Sequence, residues 1–201
     1  MMPVLVLLAA YLIGAIPFGY LLVRLTSGQD VRSMGSGNIG ATNVLRTTGR
    51  GLGFTTLLLD IAKGIVAVWI ADRLLGGSVY WMSLSAICVM AGHAFPIFLK
   101  FHGGKAVASF VGAFLYLTPL PLLAVLVVFL ITVGVTRYIS LGSVLAAGFF
   151  PISVFLIDHP PGVVVITAAV AGAFIVWRHT SNLKRIRDGN ENVFSLGGSP
   201  R

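Results

Sequence analysis

Seven apolar runs, separated by short polar segments, constrain this chain more than any other feature. They lie at residues 3–23, 53–75, 79–99, 106–118, 120–136, 139–157 and 162–178. A hydrocarbon core about 30 Å thick needs about 20 apolar residues at 1.5 Å per residue, and the first three and last two runs are about long enough. Only 10% of the 201 residues are charged, against roughly 25% in soluble domains. The sequence therefore predicts an all-α integral membrane protein.

The fourth and fifth runs decide the number of spans. Joined, they would form one overlong helix, but Pro119 and Pro121 stand at the junction, where proline interrupts the helical hydrogen bonds. Two shorter helices in a tight hairpin are the simpler arrangement. We therefore predict a single domain over residues 1–201, a bundle of seven transmembrane helices with polar loops and short helices on the cytoplasmic side.

The basic residues support this count and give an orientation. With seven spans and the first residue outside, Lys63 lies within a span and only Arg73 falls on the outer side. Lys and Arg are enriched in cytoplasmic loops, whereas six spans would place Arg137 and the basic tail on opposite sides. The basic residues on the predicted cytoplasmic side are Arg24, Arg32, Arg46, Arg50, Lys100, Lys105, Arg137, Arg178, Lys184, Arg185, Arg187 and Arg201.

The polar segment between the first two runs, residues 32–50 (RSMGSGNIGATNVLRTTGR), cannot bury a hydrophobic face. Its glycines let backbone N–H groups approach a ligand, and its hydroxyl, amide and guanidinium groups suit an anion with several oxygens, above all phosphate. A solvated loop in contact with lipid headgroups is the alternative.

Gly103, Gly104 and Lys105 form a second candidate phosphate site at the predicted start of the fourth helix. Unpaired N–H groups, the helix dipole and an ammonium group would act together there. The segment is not a P-loop, because Ala106 and Leu99 stand where that motif needs Ser or Thr and Gly. A basic loop that only sets topology is the alternative.

Asp60 and Lys63 lie three residues apart within the second run and so on one helical face. Charges at that depth are costly and usually face the bundle interior, where they are paired or functional. The sequence leaves two interpretations open: a place in an inner cavity that binds substrate, or a structural ion pair.

Two further polar segments belong to the same side. Ser140 and Ser143 follow Arg137 and would cap the sixth helix or face the site. The basic tail that follows Trp177 is explained in part by membrane topology, since Trp is enriched at the membrane interface and Lys and Arg on the cytoplasmic side. Topology does not explain His179, Asn182 and Glu191. His93 and His102 have no third candidate ligand at the sequence spacing of a metal site, so we predict no metal site.

Three blocks of the sequence resemble the bacterial acyl-phosphate-dependent glycerol-3-phosphate acyltransferase family, a membrane-integral family. They are SGNIGATNVLR at 36–46, GHAFPIFLKFHGGKAVAS at 92–109 and, more loosely, HTSNLKRIRDGNENVF at 179–194. The resemblance extends over nearly the whole chain. It implies transfer of a fatty acyl group from acyl phosphate to the 1-hydroxyl of sn-glycerol 3-phosphate. The products would be lysophosphatidic acid and inorganic phosphate, in the first step of phospholipid synthesis.

The resemblance also implies roles for residues of the three blocks. In the family the first block is associated with catalysis, the second with glycerol 3-phosphate and the third with structure and activity. Lys105 and the Gly103 and Gly104 amides would grip a phosphate. We further assign Asp60, Lys63, Ser143, Arg185 and Glu191 to substrate binding. The predicted catalytic residues are Ser36, Asn38, Thr42, Asn43 and Arg46 around the acyl phosphate, with His179 and Asn182 on the far side.

Acyl phosphate is an activated mixed anhydride, so the reaction needs no covalent acyl-enzyme and no cofactor. The enzyme must orient the hydroxyl, stabilise the oxyanion and offset the charge of two phosphates. The base is His179 or a substrate phosphate oxygen, and we favour the phosphate because no Ser-His-Asp or Cys-His arrangement is evident. We expect a bacterial inner-membrane protein with its N-terminus outside and its active site and C-terminus cytoplasmic. We expect membrane lipid as its surroundings and no nucleic acid or obligate protein partner.

Three other classes fit less well. A transporter for an organophosphate anion would show inverted repeats and an outer gate, and neither is visible in the sequence. A lipid enzyme with a His-x4-Asp pair is excluded, since no Asp lies five residues after any histidine. A structural scaffold would not need so many phosphate-type groups on one side.

Overall fold

Every apolar run named above is helical in the structure, a computed structural model that describes residues 1–194. Arg201, one of the basic residues used to predict the orientation, lies outside these described residues. The α-helices within them are α1 Met2–Ala15, α2 Phe18–Ser27, α3 Ala41–Thr48, α4 Arg50–Leu74, α5 Val79–Ala94, α6 Val107–Leu117, α7 Pro119–Thr136, α8 Ile139–Ile157, α9 Gly162–Arg178 and α10 Thr180–Arg187.

Several of these helices are long and apolar enough to cross a membrane. Five spans meet that requirement: Met2–Ser27, Arg50–Leu74, Val79–Leu99, Pro119–Thr136 and Ile139–Ile157. The pair α9 and α10, bent by 52°, would make a sixth, whereas α6 is shorter. The described residues thus form an all-helical protein with five or six candidate spans, and the seventh span stays a prediction.

The chain separates into two compact units, Met1–Leu117 and the part from Thr118 onward. In the first unit the opening apolar run is broken rather than continuous. Pro17 restricts the residue before it, and Ile16 is extended with φ −63° and ψ 113°, so α1 ends at Ala15 and α2 begins at Phe18. The run predicted as one helix over 3–23 is therefore two helices.

Close contacts between helices hold the first unit together. Helix α1 packs on α5, and α4 packs on α6 and on the short helix α3. A Cβ at Gly112 of α6 would stand 1.9 Å from the Ile61 carbonyl oxygen of α4, so only glycine fits there. Small residues that let backbones approach in this way are the usual means of packing helices in lipid.

The second unit consists of helices α7 to α10. Helix α8 packs against both α7 and α9, and α10 contacts α8 and α9. A Cβ at Gly172 would lie 2.4 Å from the Ala147 carbonyl oxygen. Gly172 therefore lies at the α8–α9 contact, and Ala168, one turn earlier in α9, is fully buried. The bend at His179 separates apolar α9 from polar α10.

Candidate active site

Asn43 organises the polar loop that precedes α3. Its side chain is buried, and its Oδ1 accepts a hydrogen bond from the Ser36 amide at 2.9 Å. Its Nδ2 lies 2.9 Å from the Asn38 carbonyl oxygen and 3.0 Å from that of Met34. One side chain thus replaces the regular hydrogen bonds that this glycine-rich loop lacks, and the structure gives Asn43 a positioning role.

The loop presents its remaining polar groups around this fixed centre. Ser36 is exposed, and so is Thr42 in the first turn of α3. The Asn38 Oδ1 accepts from the Gly40 amide at 2.8 Å, in a turn that leads into the helix. Arg46 is half-buried in the last turn of α3. The predicted catalytic residues of the first block therefore belong to one loop and one short helix.

An apolar cluster beneath the loop joins the first two blocks. Buried Ile39 and Val44 of the first block pack in a cluster with Leu99, which belongs to the second. The cluster comprises Val23, Val31, Ile39, Val44 and Leu99, with Tyr20, Met34 and Leu52 packed against it. The structure thus brings the polar loop and the turn after α5 side by side within the first unit.

The predicted phosphate grip of the Gly103 and Gly104 amides is corrected by the structure. The Gly103 amide donates to the Ala94 carbonyl oxygen at 3.2 Å, and the Gly104 amide donates to that of His93 at 3.1 Å. Helix α6 begins only at Val107, so these amides are not its open N-terminus. Both donors serve to fold the turn back onto the end of α5. Lys105 is half-buried in the same segment, and its contact with a phosphate stays a prediction.

Asp60 and Lys63 form a buried ion pair inside the first unit. The Lys63 Nζ lies 2.7 Å from the Asp60 Oδ1, and both side chains are no more than 3% exposed. Lys63 also donates to the Ile16 carbonyl oxygen at 3.0 Å, in the break between α1 and α2. His93 Nδ1 lies 3.6 Å from the same Asp60 oxygen. Of the two interpretations left open by the sequence, this geometry favours the ion pair.

Glu191 fixes the C-terminal segment in the second unit. Its Oε1 accepts from Asn182 Nδ2 at 2.7 Å and from the Ser140 hydroxyl at 2.9 Å, while its Oε2 accepts from Arg185 Nε at 2.8 Å. The Glu191 side chain is only 5% exposed. Glu191, predicted to bind substrate, therefore uses both oxygens to join α8, α10 and the tail.

Hydrogen bonding also sets the state of His179. Its ring is buried, and Nδ1 lies 2.8 Å from the Ile175 carbonyl oxygen. A carbonyl only accepts, so Nδ1 carries the proton, and in the neutral ring Nε2 is the nitrogen that can accept one. Ser143 bonds back to the Ile139 carbonyl oxygen at 2.9 Å, and Ser140 bonds to Glu191. Neither serine is the N-cap of α8, which corrects that expectation.

Sequence reasoning missed His93 as a partner of Asp60. The only signal in the sequence was that His93 belongs to the second block. In the structure its ring lies against Gly104, where a Cβ would stand 2.1 Å from His93 Nε2. What the first unit presents is a loop rich in hydroxyl, amide and guanidinium groups next to a lysine-bearing turn. Such groups suit phosphate oxygens, and the apolar helices place them in a multi-pass membrane protein.

Comparisons with known proteins agree with a multi-pass membrane protein whose polar groups suit phosphate. The glycerol-3-phosphate acyltransferase family matches residues 4–189. A relative of that name from Desulforamulus reducens is 46% identical over 194 residues, 96% of this chain and 95% of the relative. One from Geobacter sulfurreducens is 47% identical over 185 residues, 92% and 94% of the two chains.

A solved structure shares the fold. The crystal structure of PlsY (YgiH), an integral membrane glycerol 3-phosphate acyltransferase, in its glycerol 3-phosphate form superposes with a TM-score of 0.91 and 34% identity. The match covers 97% of this chain and 96% of that one. The chain therefore belongs to the glycerol-3-phosphate acyltransferase family of membrane enzymes. The resemblance seen in the three blocks is confirmed, and with it the role of the family in phospholipid synthesis.

The role of Asn43 can be tested with Asn43→Asp, which keeps the Oδ1 acceptor but replaces the donor with an oxygen. That oxygen would face the carbonyls of Met34 and Asn38. Loss of a buried partner typically costs about 1–3 kcal/mol. We expect a lower unfolding temperature and faster proteolysis within residues 34–40. Asn192→Asp, at an exposed position, is the matched control, and equal behaviour of the two variants would contradict the assignment.

The Glu191 contacts predict a dependence on pH. Burial raises the pKa of Glu191, but the hydrogen bonds from Asn182, Ser140 and Arg185 outweigh it and hold the pKa below its ordinary value of 4.5. A lowered pKa in the folded state stabilises the segment above 4.5, and this contribution is lost as the pH falls through the folded-state pKa.

Two backbone amides of the tail report this loss. Asn190 donates to the Arg185 carbonyl oxygen and Phe194 to that of Arg137, both at 2.8 Å. We expect their hydrogen-exchange protection to fall on acidification below the ordinary pKa. Glu191→Gln should show weak protection that does not change with pH, whereas Asp188→Asn, which alters a more exposed carboxylate, should behave like the unsubstituted protein. Protection that does not change with pH in the unsubstituted protein would refute the role of Glu191.

Proposed function

We propose that this protein transfers a fatty acyl group from acyl phosphate to the 1-hydroxyl of sn-glycerol 3-phosphate. The products are lysophosphatidic acid and inorganic phosphate. The observation that carries the proposal is the packing of the first two blocks on one apolar cluster through Ile39, Val44 and Leu99. That packing supports a shared site for the first block, which carries Arg46, and the second block, which carries Lys105. Two cationic groups suit a reaction between two phosphate compounds.

In the proposed reaction the hydroxyl oxygen bonds to the acyl carbonyl carbon. The bond from that carbon to the phosphate oxygen breaks, and the hydroxyl proton leaves with the departing phosphate. We assign Ser36, Asn38, Thr42 and Arg46 to the acyl phosphate, and Lys105 to the phosphate of glycerol 3-phosphate. Orientation and charge stabilisation supply the rate enhancement, without an acyl-enzyme.

The proton acceptor in this proposal is an oxygen of the substrate phosphate. His179 is the alternative, and its hydrogen bond to the Ile175 carbonyl favours a ring whose Nε2 can accept a proton. We also assign Asn182 to catalysis and Ser143 and Arg185 to substrate binding. Within the second unit, Glu191 holds Asn182 and Arg185. Glu191 and Asn43 act in the proposal as positioning residues.

The proposal also covers the setting of the enzyme. We infer seven transmembrane helices forming a single domain over residues 1–201, in the bacterial inner membrane. The N-terminus lies outside, and the active site and C-terminus are cytoplasmic, as the basic loops favour. Acyl phosphate reaches the enzyme from the bilayer and glycerol 3-phosphate from the cytoplasm, with no cofactor and no obligate protein partner.

The donor and the lysine can be tested together on the purified full-length protein in lipid. We expect lysophosphatidic acid from palmitoyl phosphate and none from palmitoyl thioesters. Lys105→Ala should lower kcat/KM for glycerol 3-phosphate by about a hundredfold, since a charge-assisted contact to phosphate is lost.

Lys100→Ala is the matched control, because Lys100 is an exposed lysine of the same segment. We expect it to keep full activity. Turnover with a thioester but not with acyl phosphate would contradict the donor. An equal loss in the two lysine variants would contradict the role of Lys105.

A further inference from the structure

We propose that Asp60, Lys63 and His93 form a buried positioning device that holds the polar loop and the Lys105 turn in register. The inference rests on the proposed function, because the segments that these residues position belong to the proposed site. In this proposal the three residues neither bind substrate nor serve only as an ion pair that stabilises one membrane helix. The residues act through the backbone segments that they contact.

Burial separates these charges from any substrate. Counted over the whole residue, backbone included, Asp60 is 2% exposed, Lys63 4% and His93 5%. The Lys63 ammonium contacts the Asp60 carboxylate and the Ile16 carbonyl, and it stands 5.7 Å from the centre of the Phe18 ring. Charges inside a membrane protein are expensive to keep, and a lock on one helix would need only the partner three residues away. Contacts with two further segments point to a role beyond the pair.

The contact of Lys63 leads towards the polar loop. Ile16 lies in the break that ends α1, and α2 begins two residues later at Phe18. Helix α2 in turn supports the loop, because a Cβ at Gly19 would lie 2.0 Å from the Ile39 carbonyl oxygen. Lys63 therefore fixes the direction of the helix on which the first block rests.

The contact of Asp60 leads towards Lys105. His93 Nδ1 lies 3.6 Å from the Asp60 Oδ1, and the same histidine ring lies against the Gly104 Cα. The His93 carbonyl accepts the Gly104 amide. Lys105 follows directly, and the positive φ of 62° at Ala106 then turns the chain into α6. The Asp60 carboxylate is therefore linked to Lys105 through the His93 ring and Gly104; we call this link the Asp60 path.

This arrangement predicts a specific kinetic defect. Disturbing either end of the Asp60 path should displace Lys105 and weaken its hold on glycerol 3-phosphate. The loss should appear in KM for glycerol 3-phosphate, with little change in kcat or in KM for acyl phosphate. A purely structural ion pair would instead lower stability and affect both substrates alike.

Three variants test the path in the full-length protein. Gly104→Ala places a methyl group against the His93 ring. Asp60→Asn with Lys63→Met removes both charges together, so that neither is left unpaired in the interior. Because this variant also removes the contact of Lys63 with the Ile16 carbonyl, it should raise KM for acyl phosphate as well. His93→Gln removes the ring in case the neutral pair does not fold. Gly134→Ala, where the structure leaves open space around the Cβ, controls for a glycine replacement within a helix.

We expect about a tenfold rise in KM for glycerol 3-phosphate from each of the three and none from Gly134→Ala. Combining Gly104→Ala with the neutral pair should add no more than about twofold, because both act on one path. A combined rise of about a hundredfold would show independent effects. An unchanged KM for glycerol 3-phosphate would also overturn the inference. So would an equal rise in KM for both substrates, together with a lower unfolding temperature, in Gly104→Ala and His93→Gln, which leave Lys63 in place.

A binding measurement separates this inference from the proposed function. Glycerol 3-phosphate should raise the unfolding temperature of the unsubstituted protein and of Gly134→Ala, and raise it less in the three variants. No turnover by the unsubstituted protein would refute the proposed function. Turnover together with the same glycerol 3-phosphate shift in all variants would refute the positioning device alone.

Discussion

The hydrogen bonds of the Asn43 side chain are the interaction on which the first unit's candidate site depends. A glycine-rich segment beside lipid has few backbone partners of its own, and buried polar groups without partners are costly. One carboxamide meets this need by joining Ser36, Met34 and Asn38. Glu191 solves the same problem for the tail of the second unit. Each polar segment is thus built around one buried side chain.

The predicted site residues fall into two groups, according to whether their polar atoms are bound within the protein or exposed. Asn43, Asp60, Lys63 and Glu191 have polar groups bound to other parts of the protein. Ser36 on the loop and Thr42 in the first turn of α3, by contrast, are exposed. Groups of the first kind give a site its shape, and groups of the second kind are available to a substrate. A reaction between activated anions relies on such fixed geometry, since donors already in place need no rearrangement in the transition state.

Membrane physics explains how much of the fold could be predicted. The predicted limits of 139–157 and 162–178 coincide with α8 and α9, because hydrocarbon thickness and proline fix where such helices end. The Gly103 and Gly104 amides were assigned wrongly because their partners, Ala94 and His93, reach them only through a turn that the sequence pattern does not reveal. The contact of His93 with Asp60 joins two separate helices, which periodicity along one helix cannot detect.

The central claim is direct transfer between two bound phosphate compounds. Rapid mixing of the protein with acyl phosphate, with and without glycerol 3-phosphate, tests it most directly when phosphate and lysophosphatidic acid are followed together. We predict that both products form in equal amounts at one rate, and that no phosphate is released when glycerol 3-phosphate is absent. A burst of phosphate equal to the amount of protein, in the absence of glycerol 3-phosphate, would reveal an acyl-enzyme and contradict the account.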